Sequence, residues 1–425
     1  MGQNTSPVRT AGNQIVFGIT SLLNDTASEM AYWVLPGLLL TLGAGPAQLG
    51  MIEGVAEGVA SGLKLWSGGL TDRLTKRKPL VVAGYAIANF AKPLLAFAGS
   101  WWHVFLIRFA DRAAKGIRSA PRDVMLAESV APQDLGSAFG LLQTMDTAGA
   151  ILGPLIAMGL LLHWSLKTVL LAAAVPGILC VAIVSLFTRE TRRSVSGGYA
   201  PDADPHHDVS PKADLSKIQP IAEADSSAAG AAPANTDGFS QRFYYLIFIN
   251  TLFSLAGSSD MFLVLRAQEN GMTLAQAPLF GLVFNITFTL FSWPAGKLSD
   301  KMPRRFLAAA GFLVYAIVYT IFAKAPSLFS LWSAMAFYGL FYALTAPVLK
   351  AMVVDAVTPQ TRGRAIGIYS FANSVTVLLA SVLTGWLWKI YGGMLPLALA
   401  AGLAFVSTGL MIFYREPSRA NVATR

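Results

Sequence analysis

The stretch Gly68-Gly-Leu-Thr-Asp-Arg-Leu-Thr-Lys-Arg77 occurs twice, in related form, in this chain of 425 residues. Its second copy is Gly296-Lys-Leu-Ser-Asp-Lys-Met-Pro-Arg-Arg305, in which the glycine, leucine, aspartate and basic positions recur after 228 residues. Two further segments, beginning at Glu128 and Asp355, share the pattern acid-x-Val-x-Pro-Gln and are 227 residues apart. Two displacements that agree this closely indicate an internal duplication.

The composition indicates that the duplicated units lie in a membrane. Hydrophobic residues make up 54% of the chain and charged residues only 13%, and the mean hydropathy is +0.54, unlike a soluble domain. Runs of about 20 mostly apolar residues are long enough to cross a bilayer. Twelve such runs, which we call spans 1 to 12, cover residues 13–42, 47–71, 79–99, 101–126, 136–162, 166–188, 241–266, 273–298, 305–324, 327–354, 363–388 and 393–414.

These runs predict an all-α membrane protein, because lipid leaves no hydrogen-bonding partner for an open sheet edge and the runs lack the alternation of barrel strands. The two copies of the repeated loop follow span 2 and span 8, so the repeats are two parallel six-helix bundles. The predicted domains are a cytoplasmic tail (1–12), an N-terminal bundle (13–193), a disordered linker (194–240), a C-terminal bundle (241–415) and a second tail (416–425). The linker assignment rests on its Ala, Pro, Asp and Ser content.

Basic residues determine the predicted orientation. They concentrate in one set of loops, at Arg73, Lys76, Arg77, Lys78, Arg189, Arg192, Arg193, Lys301, Arg304, Arg305, Arg362 and Arg364, while the opposite loops hold few. The positive-inside rule then places these loops and both termini in the cytoplasm. The net charge of +9 therefore needs no nucleic-acid partner, and we expect a monomer in a bacterial inner (plasma) membrane.

Signatures of soluble enzymes are absent from the sequence. There is no P-loop and no glycine-rich dinucleotide loop, and four histidines with one cysteine do not form an ordinary zinc site. We therefore expect no enzymatic activity, no cofactor and no metal. An ion gradient remains as the source of energy.

The twelve spans and the loop Gly68-x-Leu70-Thr71-Asp72-Arg73 with Lys76-Arg77 resemble the major facilitator superfamily and its cytoplasmic-loop signature. The resemblance covers almost the whole chain, although Thr75 and Pro303 stand where the family usually has glycine. It implies the major facilitator fold. A loop carboxylate can accept hydrogen bonds from helix N-terminal amides of the other half, held in place by neighbouring basic residues. We therefore predict a cytoplasmic gate formed by Asp72, Arg73, Arg77, Asp300, Lys301 and Arg305; the alternative is that the basic residues only set the topology.

Span 4 carries an unusual row of charges. At 100° per residue, they fall in a stripe about 120° wide: Arg108, Asp111, Arg112, Lys115, Arg118 and Arg122. Charges facing lipid are costly, so this stripe is expected to face a cavity or another helix. Arg112-Ala-Ala-Lys115-Gly116 is similar to the family's fourth-span signature, in which an arginine is linked to proton coupling, although Lys115 replaces the usual glutamine. Structural pairing of Arg112 with Asp111 or with a carboxylate of another span is the alternative.

Several carboxylates lie within the apolar spans. Glu29 in span 1 and Asp260 in span 7 occupy the matching segments Ser28-Glu29-Met30 and Ser259-Asp260-Met261. A desolvated carboxylate takes up a proton more readily, whereas a nearby cation opposes this. With Arg112, the candidates for proton coupling are Asp25, Glu29, Glu53, Glu57, Asp146 and Asp260. Permanent ion pairs between spans 1, 2 and 4 are the competing interpretation.

Span 5 contains Gly149-Ala-Ile-Leu-Gly153-Pro154, which resembles the signature of the drug/proton antiporter branch, although Ala157 and Met158 stand where that branch tends to have glycine. Small residues four apart let helices approach closely. The favoured function is proton-coupled transport by alternating access, with export of a small organic or amphiphilic compound. The alternatives are uptake or exchange of an anionic solute, and a non-transporting receptor on the same scaffold. The candidate substrate-cavity residues are Tyr32, Trp33, Arg108, Lys115, Asn285, Phe288 and Tyr342.

Overall fold

The computed structural model describes residues 11–71, 74, 76–130, 134–191, 239–357 and 361–415. These residues are almost entirely helical, and no strand occurs among them. The described residues from Ala11 to Thr191 and from Ser240 to Arg415 form one compact unit. The predicted tails (1–12 and 416–425) and linker (194–240) fall almost wholly outside the described residues, so those domain assignments stay predictions.

All twelve predicted spans are helical in the described part of the chain. Continuous helices form spans 2, 4, 5, 8, 9, 10, 11 and 12, at Pro46–Thr71, Trp101–Glu128, Leu135–Leu161, Ala277–Lys301, Arg304–Lys324, Leu328–Asp355, Arg362–Tyr391 and Met394–Ile412. Span 3 is the helix Lys78–Leu94, extended by a 3₁₀ turn at Leu95–Phe97, and a second 3₁₀ turn, Leu274–Gln276, precedes span 8. Interrupted helices form spans 1, 6 and 7, at Ala11–Tyr32 with Leu35–Thr41, Leu166–Ala172 with Ala174–Phe187, and Gln241–Ala256 with Met261–Glu269.

The spans differ in how apolar they are. Among the described residues, nine helices are long and apolar enough to cross a membrane by themselves, and these correspond to spans 3 and 5 to 12. Spans 1, 2 and 4 do not meet that criterion because they carry the polar and charged residues noted above. Their charged side chains are largely directed into the bundle: Glu53, Arg108, Asp111 and Arg118 are buried.

Packing follows the internal repeat. In the N-terminal half, span 1 packs against spans 5 and 6, and span 4 packs against spans 2 and 3. In the C-terminal half, span 7 packs against spans 11 and 12, and span 10 packs against spans 8 and 9. The halves meet where span 2 contacts span 11 and where span 5 contacts span 8. Because spans 2 and 5 correspond to spans 8 and 11 in the repeat, these two contacts are equivalent, and the predicted fold of two parallel six-helix repeats is confirmed.

The halves touch at one end of the bundle. We call the end that holds Arg77, Arg189 and Arg304 the basic face, and the other end the opposite face. At the opposite face, a Cβ added to Gly385 of span 11 would lie 2.5 Å from the carbonyl oxygen of Pro46 in span 2. Toward the basic face, Gly68 of span 2 and Gly367 of span 11 line a cavity between the halves. The halves are therefore in close contact at the opposite face and are separated by a cavity toward the basic face.

Candidate functional site: a central cavity between the halves

A cavity of about 930 Å³ lies between the two halves. Its wall is formed by spans 1, 2 and 4 of the first half and spans 7 to 11 of the second. It reaches from Trp33 and Asp260, at the helix interruptions, to Gly68 and Gly367, near the basic face. This volume is in the range of sites for small organic ligands.

The interruption of span 7 shapes one side of the cavity. Between its two helices the backbone is irregular, and Gly257, Ser258, Ser259 and Asp260 all line the cavity. The amide of Ser259 donates a hydrogen bond of 3.1 Å to the hydroxyl of Ser381 in span 11. Non-helical backbone at membrane depth is tolerated where protein groups or a cavity satisfy it, which is the situation here.

The predicted cavity residues separate into two groups. Tyr32, Trp33, Asn285 and Tyr342 line the cavity. Asn285 also donates through Nδ2 to the carbonyl oxygen of Ala150, at 3.1 Å, and so links span 8 to span 5.

Arg108, Lys115 and Phe288 do not line the cavity, contrary to the expectation. Arg108 is buried and bonded to Glu53, Lys115 is exposed, and Phe288 stacks beside Phe284 with ring centroids 6.2 Å apart. Helical periodicity shows which residues share a face, but it does not show which neighbour that face meets.

Glu29 lies in the cavity wall at the point where span 1 breaks. Its Oε2 accepts a hydrogen bond of 2.7 Å from the indole Nε1 of Trp33. The ring of Trp33 packs against Gly281 of span 8, where an added Cβ would lie 1.9 Å from the indole. Glu29 is thus connected through one side chain to the closed contact between the halves.

The charged stripe of span 4 forms a buried ion network. Arg108 donates to Glu53 of span 2 through Nη2 at 2.7 Å and through Nε at 3.1 Å. Asp111 lies among three cations: its carboxylate is 3.5 Å from Arg108, 3.8 Å from Arg112 and 3.8 Å from Lys92 of span 3. Arg112 therefore pairs with Asp111 and also lines the cavity.

The remaining charges of span 4 point away from the cavity. The guanidinium of Arg118 lies over the ring of Tyr85 in span 3, 4.3 Å from its centroid. Arg122 pairs with its neighbour Asp123 at 2.8 Å. Among the residues of the predicted stripe, Arg112 lines the cavity.

The other predicted carboxylates are divided in the same way. Glu53 and Glu57 of span 2 line the cavity together with Glu29 and Asp260. Asp25 and Asp146 do not: the side-chain amide of Asn24 donates to Asp25 at 2.9 Å, and the hydroxyl of Ser21 donates to Asp146. These two aspartates lie near the contact between spans 1 and 5.

Comparison with known proteins agrees with this architecture. The Major Facilitator Superfamily model matches residues 17–263 and 244–424. The chain belongs to the major facilitator superfamily. An uncharacterised MFS-type transporter from Methanocaldococcus jannaschii is 33% identical over 409 residues, which is 94% of each chain. Multidrug resistance protein MdtH from Cronobacter sakazakii is 31% identical over 121 residues, which is 28% of this chain and 30% of that protein.

Solved structures show the same fold for this superfamily member. A bacterial homologue of the human lysosomal transporter Spinster, in an inward-facing and occupied conformation, matches with a TM-score of 0.74 at 15% identity and covers 97% of both chains. The nucleoside transporter NupG matches with a TM-score of 0.72 at 14% identity, over 94% of this chain and 99% of its own. At these identities the likeness concerns the fold alone.

The sequence of this superfamily member did not predict that a cluster of tyrosines surrounds Asp260. The hydroxyl of Tyr338 donates to Oδ1 of Asp260 at 2.6 Å, and the rings of Tyr315 and Tyr319 stack with centroids 4.0 Å apart. The hydroxyl of Tyr315 donates to the carbonyl oxygen of Ala256, the last helical residue before the break. The spacing of four residues between Tyr315 and Tyr319, and between Tyr338 and Tyr342, was the available signal.

The loops predicted to form the gate are described only in part. Asp72 and Arg73, and the side chains of Asp300 and Lys301, lie outside what the structure describes. Arg77 is buried and donates through Nη1 to both carboxylate oxygens of Glu128, at 2.7 and 2.6 Å. Arg305 donates to the carbonyl oxygen of Tyr414 at 2.9 Å. The gate assignment therefore stays a prediction.

Proposed function

We propose that this superfamily member is a proton-coupled secondary active transporter that works by alternating access and exports a small organic or amphiphilic compound. The observation that carries the proposal is the cavity between the halves, which is closed at the opposite face and has carboxylates from both halves in its wall. Rocking of the halves about such a site is the general mechanism of secondary transporters. The extension of the cavity to Gly68 and Gly367, near the basic face, supports a conformation in which the cavity opens there.

Proton coupling is supported by the surroundings of Glu29 and Asp260. Within the described residues, each accepts a hydrogen bond from an aromatic side chain, Trp33 or Tyr338, and neither has a cationic nitrogen within 4.0 Å. A carboxylate in such a place is costly unless it is protonated or paired. Each can therefore bind a proton in one state of the cycle and release it in another.

Export is supported by three observations. The positive-inside rule assigns the basic face to the cytoplasm, so that the cavity would load from the cell interior. In span 5, a Cβ on Gly153 would lie 2.7 Å from Cβ of Glu29, so the segment that resembles the antiporter signature packs directly against a candidate proton site. The partial likeness to multidrug resistance protein MdtH points in the same direction.

Uptake or exchange of an anionic solute is the second candidate. Lys64, Arg112 and Lys350 line the cavity and would attract an anion. Arg108, which was expected to strengthen this basic wall, is instead bonded to Glu53. The observations therefore favour export over this alternative.

Inverted membrane vesicles containing the overproduced protein test the proposal. With an acidic lumen reported by a pH-sensitive dye, addition of a transported compound is expected to release protons from the lumen, and vesicles without the protein serve as the control. The same vesicles should accumulate the compound, and a proton ionophore should abolish accumulation. Accumulation that ignores the ionophore and requires sodium or a counter-substrate would contradict proton coupling. Outward loss of an anionic solute from preloaded vesicles, driven by the proton gradient, would favour the second candidate.

A further inference from the structure

Asp260 lies at the deep end of the cavity, among aromatic rings. We propose that Asp260 and these rings form a subsite for an organic cation, so that the transported compound carries a cationic group next to apolar surface. This inference rests on the proposed function of the cavity and names its substrate class.

Only one oxygen of the Asp260 carboxylate has a partner among the described residues. Oδ1 of Asp260 accepts a hydrogen bond of 2.6 Å from Tyr338, while Oδ2 has no hydrogen-bond or ion-pair partner among the described residues. Asp260 is the N-cap of the helix Met261–Glu269, yet its side chain makes no capping hydrogen bond. Aspartate is favoured at this position because it caps, so a side chain that forgoes the cap and turns to the cavity is available to a ligand.

Five aromatic residues form what we call the ring cluster: Phe284, Tyr315, Tyr338, Phe341 and Tyr342. All five line the cavity. Tyr338 is the centre of the cluster, with ring centroids 5.6 Å from Phe284, 5.6 Å from Phe341 and 5.4 Å from Tyr342. The faces of aromatic rings attract cations, most strongly where water is excluded. A carboxylate next to several rings is therefore complementary to an ammonium or phosphonium group that has apolar substituents.

The cations of the cavity wall are either already paired or lie closer to the basic face. Arg112, the cation of the cavity wall in span 4, is 3.8 Å from Asp111, so a negative partner is already close to it. Lys350 follows Tyr338 by twelve residues in span 10, which at 1.5 Å per residue places it about 18 Å closer to the basic face. Lys64 is likewise in the part of span 2 that approaches the basic face. The deep end thus selects for positive charge.

Two hydrophobic ions of matched size and opposite charge test this inference. Tetraphenylphosphonium and tetraphenylborate are added to the purified protein in detergent, and saturable binding is measured by equilibrium dialysis. The wild-type protein is expected to bind tetraphenylphosphonium and to bind tetraphenylborate more weakly. Asp260→Asn should weaken tetraphenylphosphonium binding by at least about tenfold, since an ionic hydrogen-bonding partner is lost. Asp123→Asn, which alters a carboxylate outside the cavity wall, should leave the affinity unchanged.

Variants of Tyr338 separate the ring from its hydroxyl. Tyr338→Phe keeps the ring and should retain binding, whereas Tyr338→Leu should weaken it. Size-exclusion chromatography and thermal unfolding establish that each variant is folded. If Asp260→Asn is unfolded, Asp260→Glu and the two Tyr338 variants decide the question. Asp260→Glu keeps the charge and is expected to bind.

The inference is overturned if the wild-type protein binds no tetraphenylphosphonium, if it prefers tetraphenylborate, or if Asp260→Asn binds tetraphenylphosphonium as the wild type does. Because binding in detergent needs no gradient, it is independent of the proposed transport. Binding that depends on Asp260, with no proton movement in vesicles, would support the subsite and contradict proton coupling. Proton-coupled transport of neutral or anionic compounds without such binding would contradict the subsite and support proton coupling.

Discussion

Arg77 and Glu128 form an ion pair, in which Nη1 of Arg77 donates to both carboxylate oxygens, and this pair ties the loop after span 2 to the end of span 4. The internal repeat reproduces it: Arg304 and Asp355, each 227 residues further along, form the corresponding pair between the start of span 9 and the end of span 10. Each pair lies within a single half of the bundle. They therefore stabilise each half as a unit and leave the contact between the halves free to change.

Loss of the Arg77–Glu128 pair is expected to loosen the N-terminal half. Arg77 is buried and also donates through Nε to the carbonyl oxygen of Thr71, so Glu128→Gln should lower the free energy of unfolding by about 1–3 kcal/mol. Thermal unfolding of the purified protein measures this. The exchange Arg77→Glu with Glu128→Arg should recover part of the loss, and a Glu128→Gln variant as stable as the wild type would contradict the assigned role.

The predicted gate makes a separate claim about transport. Asp72→Asn should strongly slow transport while the protein remains folded in the membrane, and Asp300→Asn should have a similar, weaker effect. The reason is the loss of a carboxylate that can accept hydrogen bonds from helix N-terminal amides. Lys76→Gln in the same loop is the control. Wild-type rates in both aspartate variants would reduce the loops to topology signals.

Glu29 is expected to be required for proton coupling. Glu29→Gln keeps the hydrogen bond from Trp33 but cannot ionise, so substrate flux should no longer respond to a pH gradient, although substrate binding persists. Arg112→Ala should have a similar effect because Arg112 is the guanidinium of the cavity wall. Flux and proton movement are measured together in proteoliposomes, with Asp123→Asn as the reference. Unchanged coupling in Glu29→Gln would exclude this carboxylate.

Much of the fold could be predicted from the sequence, because duplication and hydropathy both act over long segments. The repeated loop predicted the two halves, and the length of the apolar runs predicted the spans. The interruptions of spans 1 and 7 were not predicted. Segments such as Gly257-Ser-Ser-Asp260 are short and polar, and only their contact with the cavity and with Ser381 makes a break at this depth acceptable.

The charged residues of the cavity wall were predictable because charge is costly in lipid. Glu29, Arg112 and Asp260 were identified because a charge within a span requires a partner or a cavity. The partner of Arg108 could not be read from the sequence, since Glu53 lies 55 positions away on another helix. Tyr315, Tyr319 and Tyr338 were missed because aromatic residues are ordinary in apolar spans, and only the fold brings them to Asp260.

Closure of the opposite face is expected to depend on Gly385. Alanine there would place its Cβ 2.5 Å from the carbonyl oxygen of Pro46, so Gly385→Ala should disfavour the conformation described here and open the opposite face. A cysteine replacing Leu274, which touches Gly37 across the halves, should then react faster with a membrane-impermeant maleimide. Cys180, the single native cysteine, is buried and contributes little background. Gly402→Ala, with nothing within 4 Å of the new Cβ, should leave the labelling rate unchanged, and equal rates in all variants would contradict the closure.

Arg108 should matter for stability rather than for recognition of an anion. Because it is buried and bonded to Glu53 and Asp111, Arg108→Leu would leave the buried carboxylate of Glu53 without its partner, at a cost of about 3–5 kcal/mol. Asp111 would keep Arg112 and Lys92. Adding Glu53→Gln should recover part of the loss, since the unpaired charge is then removed. Thermal unfolding of the single and double variants gives the coupling between the two positions. The opposite result would be that Arg108→Leu leaves stability intact and selectively weakens binding of an anionic solute. Arg108 would then face the substrate in another state of the cycle, and this result would favour uptake or exchange of an anionic solute over export.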